Sequence, residues 1–205
     1  MPRHDDGPSE FVSVSRADLP CAARPAARTL WHAHIPVEES ERLLNSGKSM
    51  PLDRIDRKIL HELMNDATLP VAQLADRVGL SQTPCWKRVQ KLETAGVIGR
   101  RVAIVPPEMI GLGLTVFVEI VASDHSQDWR DAFAALVTDY PEIVEVHRMA
   151  GEVDYLLKVV VEDTQAYDSF YLGFTRRLPC RNVTSKFSME RIKATTALPI
   201  DTTEL

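Results

Sequence analysis

Residues 81–94, Ser-Gln-Thr-Pro-Cys-Trp-Lys-Arg-Val-Gln-Lys-Leu-Glu-Thr, hold the densest group of side chains in this chain that could meet a polyanion. On a helical wheel, Cys85, Val89 and Leu92 fall within about 60° of one another at 100° per residue. Thr83, Lys87, Gln90, Lys91 and Thr94 lie on the opposite side, with Trp86 and Arg88 flanking the apolar stripe. Ammonium, guanidinium, amide and hydroxyl groups are those that meet phosphates and base edges. Ser81, Gln82 and Thr83 stand at the helix start, where free backbone N–H groups also favour a phosphate. The candidate DNA contacts are therefore Ser81, Gln82, Thr83, Lys87, Arg88 and Lys91. The alternative is a solvated face on a three-helix module that serves protein contacts. Cys85 reads either as a redox sensor or as a small core residue, and its place in the stripe favours the core.

A second group is Met149-Ala150-Gly151-Glu152-Val153-Asp154-Tyr155. A turn of small and acidic residues can bring backbone donors and a carboxylate to one point, which suits a ligand carrying both an ammonium and a carboxylate, such as a free amino acid. The plainer alternative is an ordinary hairpin turn with an exposed Asp154 and a packed Tyr155. Enzyme signatures are lacking: there is no Gly-rich phosphate loop, no metal-spaced His/Cys set and no G-x-S-x-G elbow. His61, His125 and His147 are scattered.

The elements that position these groups follow from periodicity. Asp53 caps a helix whose Ile55, Ile59, Leu60, Leu63 and Met64 fall at helical spacing, and Asn65-Asp66-Ala67 ends it. A shorter helix spans 71–78 and buries Leu74, Ala75 and Val78. Gly79 closes it, and a third helix runs over 82–95 with Ser81 as N-cap and Pro84 in its first turn. Two short helices about a Gly-containing turn make a helix-turn-helix, whose second helix enters the major groove. Residues 97–105 read as a strand, and Pro106-Pro107 as a linker.

Beyond the linker the order is strand (112–122), helix, strand (142–149), strand (153–161), helix, strand (183–192). Trp129, Phe133, Leu136, Val137 and Tyr140 mark the buried face of the first of these helices. Tyr167, Phe170, Tyr171, Phe174 and Leu178 mark that of the second. A βαββαβ order favours a four-stranded antiparallel sheet with both helices on one face, the ferredoxin-like arrangement.

The net charge of −5 over 205 residues argues against a protein that coats nucleic acid by bulk positive charge. That total hides a segregation. Residues 50–101 carry +3, residues 102–205 carry −7 and residues 1–49 carry −1, which assigns the polyanion-facing task to the middle segment. No apolar run approaches the roughly 18 residues that span a bilayer, and the first residues lack the apolar core of a secretory signal. Three distant cysteines, Cys21, Cys85 and Cys180, fit neither a disulfide framework nor a zinc site and suit a reducing cytoplasm. Residues 1–50 carry five prolines through residue 36 and no sustained period, so they read as a disordered extension with a short helix near 38–44. His32 and His34 in it are too few for a closed metal site. Met50 precedes the first well-patterned segment, as an alternative natural start would.

Several of these segments resemble the leucine-responsive regulator/AsnC (Lrp/AsnC) family of transcription factors. Residues 52–60 are similar to its opening helix and residues 80–93 to its recognition helix. Gly96-Val97-Ile98, Gly151-x-x-Asp154-Tyr155 and residues 192–199 are similar to its later signatures, and the likeness covers residues 51–200. It implies an α+β protein with a winged helix-turn-helix over 51–101, a linker strand and hinge over 102–110, an αβ-sandwich (RAM) domain over 111–200 for effector binding and oligomerisation, and a tail over 201–205. It implies double-stranded DNA as partner, dimers that assemble into tetramers or octamers, a nucleoid-associated cytoplasmic location, no membrane, no metal and no cofactor beyond an amino-acid effector. Carried over by motif, Met149, Gly151, Asp154 and Tyr155 would line the effector site. Gly151 would allow close backbone approach, Asp154 would face the ligand's ammonium, and Ser185 would meet its carboxylate. Two departures stand out: Leu178-Pro179 is followed by Cys180-Arg181 where the family has Gly-Val, and the next loop is about one residue short. Other readings of the chain are a ligand-independent architectural DNA binder, an enzyme on the same scaffold and a DNA-free interaction module.

Overall fold

Asp53 starts the first helix by a reciprocal cap. Its carboxylate accepts the Asp56 N–H at 2.8 Å, and the Asp56 carboxylate faces the Asp53 N–H at 3.4 Å, so two otherwise orphaned amides find partners. The computed structural model describes residues 51–203. The extension assigned to 1–50, its short helix, His32, His34 and Cys21 lie outside the described residues.

Among the described residues three helices come first: α1 (Arg54–Asn65), α2 (Val71–Val78) and α3 (Gln82–Thr94). Ile59 and Leu60 of α1, Leu74, Ala75 and Val78 of α2, and Cys85, Val89 and Leu92 of α3 are the buried apolar residues, so the wheel positions read from the sequence meet in one small core. Gly79 ends α2 at φ +77°, a backbone state a side chain would oppose, and its N–H returns to the Ala75 and Asp76 carbonyls. Ala75, fully buried within α2, accepts the Leu80 N–H of the following turn with its carbonyl at 2.9 Å.

The segment after α3 differs from expectation. Residues 97–105 form no strand; the Val97 and Ile98 N–H groups fold back onto the Leu92 carbonyl at 3.0 and 3.2 Å, and the chain continues as irregular backbone. The β-branched composition supplies the propensity, but a strand forms only against a neighbour, and among the described residues no strand lies alongside. Val102 and Ile104 are left 64% and 71% exposed.

A single 3-10 turn, Pro107–Ile110, leads into the βαββαβ unit: β1 (Leu114–Ala122), α4 (Gln127–Asp139), β2 (Ile143–Arg148), β3 (Tyr155–Val161), α5 (Thr164–Arg177) and β4 (Cys180–Phe187). The last strand starts three residues earlier and ends five earlier than the sequence suggests. The sheet is antiparallel in the order β2-β3-β1-β4, with Val118 opposite Leu157 on one side and Ser185 on the other. Alternation along β1 sends Val116, Val118, Ile120 and Ala122 to the helix side, where they meet Trp129, Phe133 and Leu136 of α4 and Tyr167, Phe170 and Phe174 of α5. Each of the larger aliphatic side chains and phenylalanines contributes about 1.5–3 kcal/mol by burial. The indole N–H of Trp129 is not stranded: it donates to the Pro179 carbonyl at 2.8 Å and ties α4 to the entry of β4.

Among the described residues no helix covers the opposite face of the sheet. Phe117 is exposed there between two ion pairs, Lys158–Glu145 at 2.6 Å and Lys186–Glu119. After β4 the chain returns to the helical end of the molecule. Thr196 donates to the Met64 carbonyl at 2.8 Å, the Asp201 carbonyl accepts from Arg57 at 3.4 Å, and Leu198, Pro199 and Ile200 line a cleft of about 820 Å³ with Leu60, Leu63 and Met64.

Candidate functional site

The polar side of α3 is where the wheel places it. Ser81, Gln82, Thr83, Lys87 and Lys91 are all exposed, and none has a side-chain partner among the described residues. Ser81 occupies the N-cap position with extended backbone but accepts no N–H with its hydroxyl, so the first amides of α3 stay open toward solvent. Beneath this face Cys85, Val89 and Leu92 are buried. Burial pushes the Cys85 thiol above its ordinary value, so the core reading describes its surroundings.

Arg88, grouped with the DNA contacts from the sequence, has its guanidinium turned back into the domain. It donates to Asp53 at 2.5 Å and Asp56 at 2.7 Å, and the Asp56 side chain is only 3% exposed. The cause is position: Arg88 flanks the apolar stripe on the side that meets α1, opposite the two carboxylates of its cap. The cationic set left to solvent on α3 is Lys87 and Lys91. Periodicity could not reveal this pairing, since the partners lie 35 and 32 residues away. An arginine at the edge of a buried stripe, with two carboxylates in a neighbouring helix cap, was the available signal.

The second candidate site lies where the β2–β3 hairpin meets the end of β1. The Met149 N–H donates to the Asp154 carbonyl at 2.8 Å, and the Asp154 N–H to the Ile120 carbonyl at 3.0 Å. One Asp154 oxygen accepts the Ala122 N–H at 2.8 Å, and the other stands 3.9 Å from His125 Nδ1. The carboxylate therefore fastens the hairpin to β1 and keeps one oxygen toward a group that can approach.

The neighbouring residues divide. Gly151 adopts φ +139° with open space where a Cβ would stand, so its backbone state, rather than close approach within the chain, requires glycine. Met149 is exposed beside it. Tyr155 turns to the helix side, its ring 4.3 Å from Phe133 and 5.7 Å from Trp129. Ser185 is hydrogen-bonded to the Tyr167 hydroxyl. It pairs with Val118 on the far side of β1, two strands across and several residues along from Asp154, a separation on the order of 10 Å or more. One protomer thus gathers Met149, Gly151 and Asp154 but leaves Ser185 apart. Among the described residues no group of His, Cys, Asp and Glu could hold a metal, and no helix is long and apolar enough to cross a membrane.

Comparison with known proteins covers both halves of this arrangement. The AsnC-type helix-turn-helix domain family matches residues 52–93, and the Lrp/AsnC ligand binding domain family matches residues 115–198. The chain is 49% identical over 151 residues to the DNA-binding transcriptional activator DecR of Escherichia coli (strain K12), covering 73% of this chain and 99% of that one. It is 45% identical over 152 residues to the glutamate uptake regulatory protein of Zymomonas mobilis, covering 74% and 93%. Among solved structures, an AsnC family transcriptional regulator from Agrobacterium tumefaciens aligns with a TM-score of 0.69 at 53% identity, over 72% of this chain and 96% of that one. A Neisseria meningitidis transcriptional regulator in complex with L-Met aligns at 0.70 and 35% identity, over 73% and 97%.

Proposed function

Because this chain belongs to the Lrp/AsnC family of DNA-binding transcriptional regulators, a non-enzymatic family, we propose that α3 reads DNA through Ser81, Gln82, Thr83, Lys87 and Lys91 while a free amino acid binds beside the 149–154 hairpin. The observation that carries the first half is the exposed set Ser81, Gln82, Thr83, Lys87 and Lys91, without side-chain partners among the described residues, above a buried stripe. Lys87 and Lys91 supply the salt-dependent phosphate contacts, and Gln82 and Thr83 reach base edges.

The second half rests on Asp154, whose second oxygen, 3.9 Å from His125 Nδ1, faces the ammonium while the Met149–Gly151 backbone lines the approach. Ser185 lies too far off to serve the same ligand within one protomer, so a second copy completes the site. Chains pair into dimers through the open face of the sheet and the exposed 97–105 segment, and dimers assemble into tetramers or octamers with the effector between them. An amino acid that binds one assembly better than another shifts the population and with it the spacing of the reading helices. The regulated genes are those of amino-acid metabolism or transport, in keeping with the printed name of the Zymomonas relative and the L-Met bound to the Neisseria one. The protein works in the cytoplasm on the nucleoid.

The test is a gel shift of the full chain on the DNA upstream of its own gene, repeated with each free amino acid. A discrete complex whose affinity or mobility changes with one amino acid supports both halves and names the effector. A discrete complex indifferent to all of them favours a ligand-independent architectural protein, a reading that the existing Ala122 and His125 contacts of Asp154 would then suit. No complex at low salt removes the recognition-face assignment at that site.

A further inference from the structure

Trp86 is the one large apolar side chain standing out from α3. It is 51% exposed and makes no ring contact among the described residues, whereas Trp129, in the sandwich, is buried and stacked on Phe133. A tryptophan left half in water forgoes stabilisation that burial would give. Its position is specific. At 100° per residue Trp86 lies about 40° from both Gln82 and Gln90 and sits on the ridge that joins them, with Thr83 and Lys87 on the adjoining ridge. All five are exposed and belong to the first two and a half turns of the helix. The indole is thus set among the very groups that face a nucleic acid, inside the segment of the chain that carries +3.

The major groove offers a ring of this kind one apolar feature, the 5-methyl group of thymine. The flanking amides differ in readiness. Gln90 already donates to Glu93 at 2.8 Å, while Gln82 has no partner and keeps both its donor and its acceptor for a base edge. From this juxtaposition we infer that Trp86 is a specificity-determining residue that reads thymine methyl groups in the half-site, one turn along the helix from Gln82. The inference rests on α3 being the reading helix and goes beyond the phosphate and amide contacts assigned there.

The experiment uses the full chain and duplexes that the wild-type protein selects from a random pool. Each thymine of one half-site is replaced singly by deoxyuridine, which removes the methyl group and leaves the pairing edge intact. Wild type should lose about fourfold in affinity at one or two adjacent positions, the worth of one buried methyl. Trp86→Ala should bind the thymine duplex more weakly and show no further loss with deoxyuridine at those positions, while Trp86→Phe keeps part of the discrimination. Both variants should retain the wild-type slope of affinity against salt, since no phosphate contact is removed.

Discrimination that persists in Trp86→Ala overturns the inference, as does a wild type indifferent to deoxyuridine at every position. Lys87→Ala/Lys91→Ala, measured alongside, separates the two levels. Loss of affinity and salt dependence there, with methyl discrimination unchanged in Trp86→Ala, leaves α3 as the reading helix and removes only Trp86. Unchanged binding in the lysine variant, or no selected duplex at all, removes both.

Discussion

The carboxylate of Asp154 accepts the backbone N–H of Ala122 at 2.8 Å across 32 residues of sequence, so the hairpin of β2 and β3 is fastened to the end of β1 by the same group proposed to meet the effector. The structural role and the proposed ligand-facing role fall on one side chain, and substitutions can separate them. Asp154→Asn keeps an oxygen for Ala122 but removes the charge an ammonium would meet. We expect it to bind DNA and melt close to wild type, while the amino-acid response falls at least tenfold. Asp154→Ala should lose the response and also about 1–3 kcal/mol of stability, the cost of an unfastened amide. A full response in Asp154→Asn by gel shift would place the ammonium elsewhere.

Arg88 makes a comparable link at the helical end, from α3 to the cap of α1. Its guanidinium is partly open to water, so the lower range for a broken charged hydrogen bond applies. Arg88→Ala should destabilise the protein by about 1–3 kcal/mol in denaturant melts, leaving the buried Asp56 carboxylate without its counter-charge. If the variant melts like wild type yet binds DNA weakly, Arg88 serves DNA after all.

The same link has a pH signature. Partial burial raises the Asp53 pKa, but the Asp56 N–H and then the hydrogen bond and charge of Arg88 outweigh it and hold the carboxyl below its ordinary value. A depressed folded pKa stabilises fully above the unfolded value of about 3.9, and that contribution is lost as pH falls through the lower folded value. Asp53→Asn retains a capping oxygen without the charge. Its melting temperature should lie below wild type at pH 7, and the gap should close as pH falls through the depressed folded-state pKa of Asp53. An equal gap on both sides of that pKa would show that Asp53 acts through the cap alone.

Lys87→Ala/Lys91→Ala should weaken DNA binding and reduce the slope of log affinity against log salt by about 2, close to one unit per phosphate contact. Measurement by fluorescence anisotropy from 50 to 200 mM salt, by order of magnitude the range over which such contacts are lost, checks both values. Unchanged slope and affinity would move the phosphate contacts off α3.

Cys85 is fully buried and its thiol is pushed up by that burial. In the native protein it should resist a thiol-specific alkylating reagent and react only as fast as the domain opens, as peptide mass spectrometry of the Cys85 peptide would report. Rapid native labelling would restore the redox-sensor reading.

Local chemistry was readable from the sequence wherever a neighbour in sequence was also the neighbour in space. The Asp53 cap, the Gly79 stop and the Cys85-Val89-Leu92 stripe all stand as the periodicity implied. So does the βαββαβ order, since two-residue alternation and helical spacing each name a buried face. Residues 97–105 could not be settled that way, because a β-branched run becomes a strand only when another comes beside it. The partners of Arg88 and Ser185 escape the sequence for a related reason. Those partners, Asp56 and Tyr167, are brought to them by tertiary packing, and a polar side chain on a wheel or strand carries no mark of which distant group will take it.

The hydrogen bond from Thr196 to Met64 spans 132 residues. A ribosome adding about 5–20 residues each second needs roughly 7–26 s to make that stretch, whereas small helical domains fold in milliseconds or less. The three helices therefore have time to fold before the segment that clasps them exists. Leu198, Pro199 and Ile200, which line the cleft with Leu60, Leu63 and Met64, are thus the last of its walls to be made, after the 97–104 segment on its other side.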